Sequence, residues 1–72
     1  MRIKMEEIGS SIRNRRELLE LLQTRLAQIA GVSTRTIQLV EMGKANPSLE
    51  TLLKITEPLG LELKLTLKDA SS

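Results

Sequence analysis

The chain has 72 residues, 40% of them hydrophobic, with eleven Lys and Arg against nine Asp and Glu for a formal net charge of +2. A chain of this length holds one domain and one core and buries only about 60% of its unfolded surface; with no Cys and no His to supply a disulfide or a metal site, oligomerisation or very regular helix packing is the expected supplement. The absence of Phe, Tyr and Trp argues against reading single-stranded nucleic acid by base stacking, and the lack of His, Cys, a glycine-rich phosphate loop or a carboxylate pair in a cleft argues against an enzyme or a bound cofactor.

Ile8, Ile12 and Leu19 recur at spacings of four and seven, one face of a helix that Leu18 and Leu22 widen, which predicts a first helix from about Met5 to Leu21. Arg16 falls on the same face, four residues after Ile12 and three before Leu19. A guanidinium aimed at the core edge needs a carboxylate partner, unless its long stem carries the charge back to solvent. From Gln23 the apolar positions continue as Leu26, Ala27, Ala30, Val32, Ile37 and Val40, with Gly31 in their midst. No single straight helix keeps Leu26 and Ala30 on one face with Ile37 and Val40 through that glycine, whereas two short helices meeting at a corner do. Gly31 suits the left-handed residue that ends the first of them, and Ser33 suits the N-cap of the second. Ala27 is small where the two helices come closest.

The run from Met42 to Pro47 is a turn cluster that closes the second short helix. Ser48 caps another, with an apolar stripe of Leu49, Leu52, Leu53, Thr56 and Leu59 stopped by Pro58 and Gly60. Beyond Gly60 the period changes to two: Leu61, Leu63, Leu65 and Leu67 alternate with Glu62, Lys64, Thr66 and Lys68, which predicts a strand. A lone strand leaves its backbone unpaired, so a partner is required, either Arg2 to Met5 or, preferably, the same strand of a second subunit. Two-fold antiparallel pairing centres on one residue with leucine facing leucine. Centring on Lys64 sets lysine against lysine, centring on Leu63 pairs Glu62 with Lys64, and centring on Leu65 pairs Glu62 with Lys68. Charge thus leaves the last two registers, with Leu65 preferred.

Leu26, Ala30, Val32, Ile37 and Val40, with small Ala27 and Gly31 between them, form a helix-turn-helix pattern. An ordinary pair of packed helices does not require Ala27 and Gly31 at those places. The surrounding runs are Gln23-Thr24-Arg25-Leu26-Ala27, Gly31-Val32-Ser33, Thr36-Ile37, Glu41-Met42-Gly43-Lys44 and Asn46-Pro47-Ser48-Leu49-Glu50-Thr51-Leu52. They resemble the lambda-repressor-like, Xre-type regulators from about Gly9 to Leu59, with Ile12 and Arg16 at the family's first-helix positions. The tail from Leu59 to Leu67 is similar to that of HipB-type antitoxins, whose C-terminal strands pair across a dimer. The fold so implied is all-α: a single helix-turn-helix domain over residues 1–72, of four or five helices (core 9–59), with a dimerising β-strand at 61–67.

By this resemblance Arg16 and Glu41 form a buried salt bridge between the first and third helices. The third helix, about Thr34 to Met42, lies in the major groove of duplex DNA. With Ile37 and Val40 turned to the core, Thr34, Arg35 and Gln38 face outward together, and their side chains suit thymine methyl, guanine and adenine edges respectively. Gln23, at the start of the second helix, acquires a phosphate-clamp role, with Ser33, Lys44 and Asn46 as further candidate phosphate contacts. Charge distribution agrees: Ile12 to Asn46 carries six basic and three acidic residues (+3), the remainder five and six (−1). A dimer presents that basic segment twice.

Two positions depart from the family pattern. Leu22 stands where Ser or Thr usually caps the second helix, and Glu20 where glycine is customary, so a more continuous helix is expected through the first turn. Leu39 replaces a usual polar residue and is either a surface oddity, a thymine-methyl contact or part of a protein interface. The function implied is a homodimeric repressor on an inverted-repeat operator, the antitoxin of an autoregulating toxin–antitoxin pair. Open alternatives are a stand-alone or phage-derived repressor, or a module that mainly binds a toxin protein. No secretory signal and no apolar stretch of membrane-spanning length is present in the sequence. A soluble, cytoplasmic, nucleoid-associated protein is therefore expected, with no metal site.

Overall fold

The computed structural model describes residues 4–64. They form four helices, α1 (Met5–Leu18), α2 (Gln23–Ala30), α3 (Thr34–Glu41) and α4 (Leu49–Thr56), followed by a 3₁₀ turn at Glu57–Leu59. α3 packs on both α1 and α2, while α4 and the 3₁₀ turn close the other side. Ile12, Leu26, Ile37, Val40, Ile55 and Leu59 are wholly buried at the centre, with Ala27 and Ala30 completing the corner.

That corner is made by one residue. Gly31 adopts the left-handed conformation (φ 73°), so the Val32 N–H donates to the Ala27 carbonyl (3.0 Å) and the chain leaves α2 at an angle. Close approach sets a different demand at Gly9, on the buried face of α1. A Cβ there would run into the Val40 carbonyl and lie 2.9 Å from that of Glu41, so the missing side chain is what lets α1 rest on the end of α3.

The first helix is shorter than its periodicity predicts, and no continuous helix runs through the first turn. Glu20 takes up left-handed backbone (φ 58°) although it is not glycine. Its N–H donates to the Glu17 carbonyl and that of Leu21 to the Arg16 carbonyl, both at 3.0 Å, which are the paired bonds of a Schellman turn. Left-handed backbone costs an L-residue about 1–2 kcal/mol, here set against the two bonds and an Arg16 Nη1 donation to the Leu21 carbonyl at 2.7 Å. The reversal breaks the expected stripe: Leu18, Leu19 and Leu22 are 70%, 41% and 72% exposed instead of core. Leu22 sits at the N-cap of α2 and offers it no side-chain bond.

α4 is rotated from its predicted face. Its buried residues are Leu52, Ile55 and Thr56, continued by Leu59, whereas Leu49 and Leu53 are exposed. Leu61 packs partly on the core and Leu63 is exposed. Residues 61–64 form no strand with any other described residue. Leu65 and Leu67, with the preferred register centre, lie outside the described residues, as do Arg2 and Ile3 of the Arg2 to Met5 segment. Among the described residues no helix is long and apolar enough to cross a membrane.

Candidate nucleic-acid interface

α3 is held by its cap and its buried face. The Ser33 hydroxyl accepts from the Thr36 N–H at 3.1 Å, starting the helix, and Ile37 and Val40 anchor it below. What remains outward is Arg35, exposed, with Thr34 and Gln38 half-buried beside it. Leu39 is half-buried too.

Arg35 and Gln38 line an open groove together with Arg13 of α1, Gln23 of α2, Glu41 and Met42. Its buried member is Glu41, whose carboxylate is filled from three directions. Arg16 Nε donates to Oε2 at 2.6 Å, Arg16 Nη2 to Oε1 at 3.0 Å, and Gln23 Nε2 to Oε1 at 3.0 Å. Two charges removed from water need such complete pairing. The bonds from Glu41 hold the Arg16 pKa above its ordinary value, against the opposing effect of burial. Every buried side-chain polar atom among the described residues is satisfied.

The groove therefore gathers Gln23 of α2 with Arg35 and Gln38 of α3. Thr34 and Ser33 sit at the α3 N-terminus outside its lining, and Lys44 and Asn46 are exposed in the loop after α3. Gln23 turns its amide inward to Glu41, leaving one amide hydrogen for anything outside. Arg13 and Met42 are groove residues that sequence reasoning missed. The signal for Arg13 was its spacing, three residues before Arg16 and hence beside it on the helix surface facing α3.

A short helix set at an angle across another, with a polar, cationic outer face and a buried ion pair beneath it, defines a helix-turn-helix unit. Residues 12–66 match the helix-turn-helix family, and the chain belongs to it. It is 42% identical over 50 residues to an uncharacterized HTH-type transcriptional regulator of Haemophilus influenzae, covering 69% of this chain and 51% of that protein. It is also 42% identical over 55 residues to HTH-type transcriptional regulatory proteins of two Methanococcus maripaludis strains, covering 76% of this chain and 17% of each of those. The chain thus spans about half the length of the first relative and a small part of the others.

Proposed function

We propose that the chain is the DNA-binding unit of a transcription regulator, with α3 read into the major groove of duplex DNA. The observation that carries this is the shared groove, in which Arg35 and Gln38 stand outward over a helix anchored by Ile37 and Val40. The names of its relatives as transcriptional regulators support the same reading. Arg35 donates to guanine O6 and N7, Gln38 pairs with adenine N6 and N7, and the Thr34 methyl meets thymine, each good pair adding about 1–3 kcal/mol of discrimination.

Lys44 and Asn46 hold phosphates and carry no sequence information. Gln23 contributes its remaining amide hydrogen at the α2 N-terminus, whose dipole favours an anion. Ser33 Oγ and Thr36 Oγ1 are 2.9 Å apart. With the threonine as donor, the serine hydrogen is free for a phosphate. The chain acts as a binding module without catalysis, its buried Arg16 and Glu41 being occupied with each other.

The finer reading is a homodimeric repressor on inverted half-sites about 34–36 Å apart, in the manner of a HipB-type antitoxin acting on the nucleoid in the cytoplasm. Favouring a protein partner are Leu18, Leu22, Leu49 and Leu53, exposed leucines in a chain of only 72 residues. Selection of duplexes from a random pool, followed by binding of Arg35→Ala and Gln38→Ala to the enriched sequence, tests the central reading. An unenriched pool, or variants that bind as the parent does, overturns it. Sedimentation in the bound and free states, and co-expression with the product of the adjoining gene, separate a repressor dimer from a toxin partner.

A further inference from the structure

We propose that Arg13 is a phosphate contact delivered from α1, and that Glu17 competes with DNA for it. This rests on α3 being the DNA-reading helix. Arg13 lines the groove that holds Arg35, Gln38 and Gln23, so a backbone strand passing along that groove meets its guanidinium. The arginine is not committed to the fold. Its only ion-pair partner among the described residues is Glu17, one turn along α1, at 3.4 Å from Nε, with the two side chains 61% and 52% exposed.

Such an exposed pair is weak and is readily exchanged for another acceptor. A phosphate offers oxygens that a guanidinium can grip at two points, which the single Nε contact to Glu17 does not provide. Arg16, three residues on, is the opposite case: there the same side chain is buried and held by Glu41 and the Leu21 carbonyl, which keeps it out of a ligand's reach. Of the three arginines of α1, Arg16 and Arg15, whose Nε donates to the Leu59 carbonyl at 2.8 Å, are tied to the fold, and Arg13 is the available one. Glu17 occupies the Nε of the available one and also places a negative charge near an incoming phosphate.

The test measures binding of the enriched duplex as a function of salt for the parent chain, Arg13→Gln, Glu17→Gln and the double variant, with thermal unfolding of each. Arg13→Gln is expected to leave sequence preference and melting unchanged while weakening binding to all duplexes. Its plot of log affinity against log salt is expected to be shallower by about 0.9 per bound protomer, which is about a threefold difference between 50 and 200 mM salt. Glu17→Gln is expected to tighten binding, and to do so less when Arg13 is already replaced. An unchanged slope in Arg13→Gln, or an equal gain from Glu17→Gln with and without Arg13, overturns the proposal. If the parent chain itself shows no duplex binding, the failure lies with the reading of α3.

Discussion

Gln23 donates to Glu41 at 3.0 Å, joining the first residue of α2 to the last residue of α3. The same Glu41 oxygen also accepts from Arg16 Nη2, so three helices meet at one carboxylate beneath the proposed DNA-binding face. The donors are unequal. Arg16 is buried and depends on Glu41, whereas Gln23 is half-buried and water can replace its partner.

Glu41→Ala is therefore expected to strand a buried cation and cost about 3–5 kcal/mol, enough to abolish cooperative unfolding in a domain whose total is of that order. Gln23→Ala removes one bond to a charged acceptor and is expected to cost about 1.5 kcal/mol or less, leaving a cooperative transition lowered by roughly 4–8 °C per kcal/mol. Circular dichroism melts distinguish the two, and equal damage from both rejects this ranking. With its folded pKa raised by Glu41, Arg16 contributes stability at every pH below its unfolded value. That share is lost only as pH climbs through the raised value in strong alkali, so melts are expected to show no arginine-linked loss on the neutral-to-alkaline side.

Two glycines give alanine variants of different origin. At Gly31 nothing lies within 4 Å of the place a methyl group would take, so Gly31→Ala meets only the left-handed backbone, an expected cost of about 1–2 kcal/mol that Asn relieves in part. At Gly9 the methyl meets the carbonyls of Val40 and Glu41, which cannot rotate away. Gly9→Ala is expected to reach or exceed the upper end of the roughly 1–3 kcal/mol seen for overpacking, and Asn there is worse than Ala. Urea midpoints for the four variants check both the order and the opposite response to Asn.

The parts of the fold that were legible are those where spacing and a special residue agreed. Gly31 interrupts an apolar series that no straight helix can bury, so the corner between α2 and α3 followed from the chain itself. The outward set of Thr34, Arg35 and Gln38 followed once Ile37 and Val40 were given to the core. Illegible were features decided by energy differences of about a kcal/mol. Glu20 accepts left-handed backbone because Arg16 and Leu21 bond across the turn, a tertiary reward invisible in a residue with poor turn statistics. The leucine-rich stretch at α4 satisfies helical spacing on two neighbouring faces, and only packing chooses between them. Arg13 was passed over for another reason: its spacing places it beside Arg16 on α1, but spacing does not say which residues of other helices share that side.

Phosphate and base contacts are expected to separate in solution. Lys44→Gln lies in the loop after α3 and is exposed, so melting should not move. Its binding is expected to fall alike on enriched and random duplexes, with a salt dependence shallower by about 0.9 per protomer. Arg35→Ala is expected to lose affinity mainly on the enriched duplex, by about 1–3 kcal/mol. A Lys44→Gln variant that changes sequence preference contradicts this division.

The choice of face in α4 supplies a test that needs no DNA. Ile55 has no exposure at all, while Leu53, two residues earlier, is 46% exposed and Leu49 is 64% exposed. Truncating Ile55 to Ala leaves a cavity in the buried core and is expected to cost about 2–5 kcal/mol. Leu53→Ala and Leu49→Ala remove side chains already in water and are expected to change the unfolding midpoint of the isolated chain by about 0.5 kcal/mol or less. If instead these two leucines are covered by a second copy or another protein, their truncation lowers stability only at concentrations where that complex forms, because association stabilises the folded chain by mass action. Unfolding measured over a range of protein concentrations therefore tells core from interface: a concentration-independent loss at Leu53 larger than that at Ile55 means that α4 presents the other face to the core.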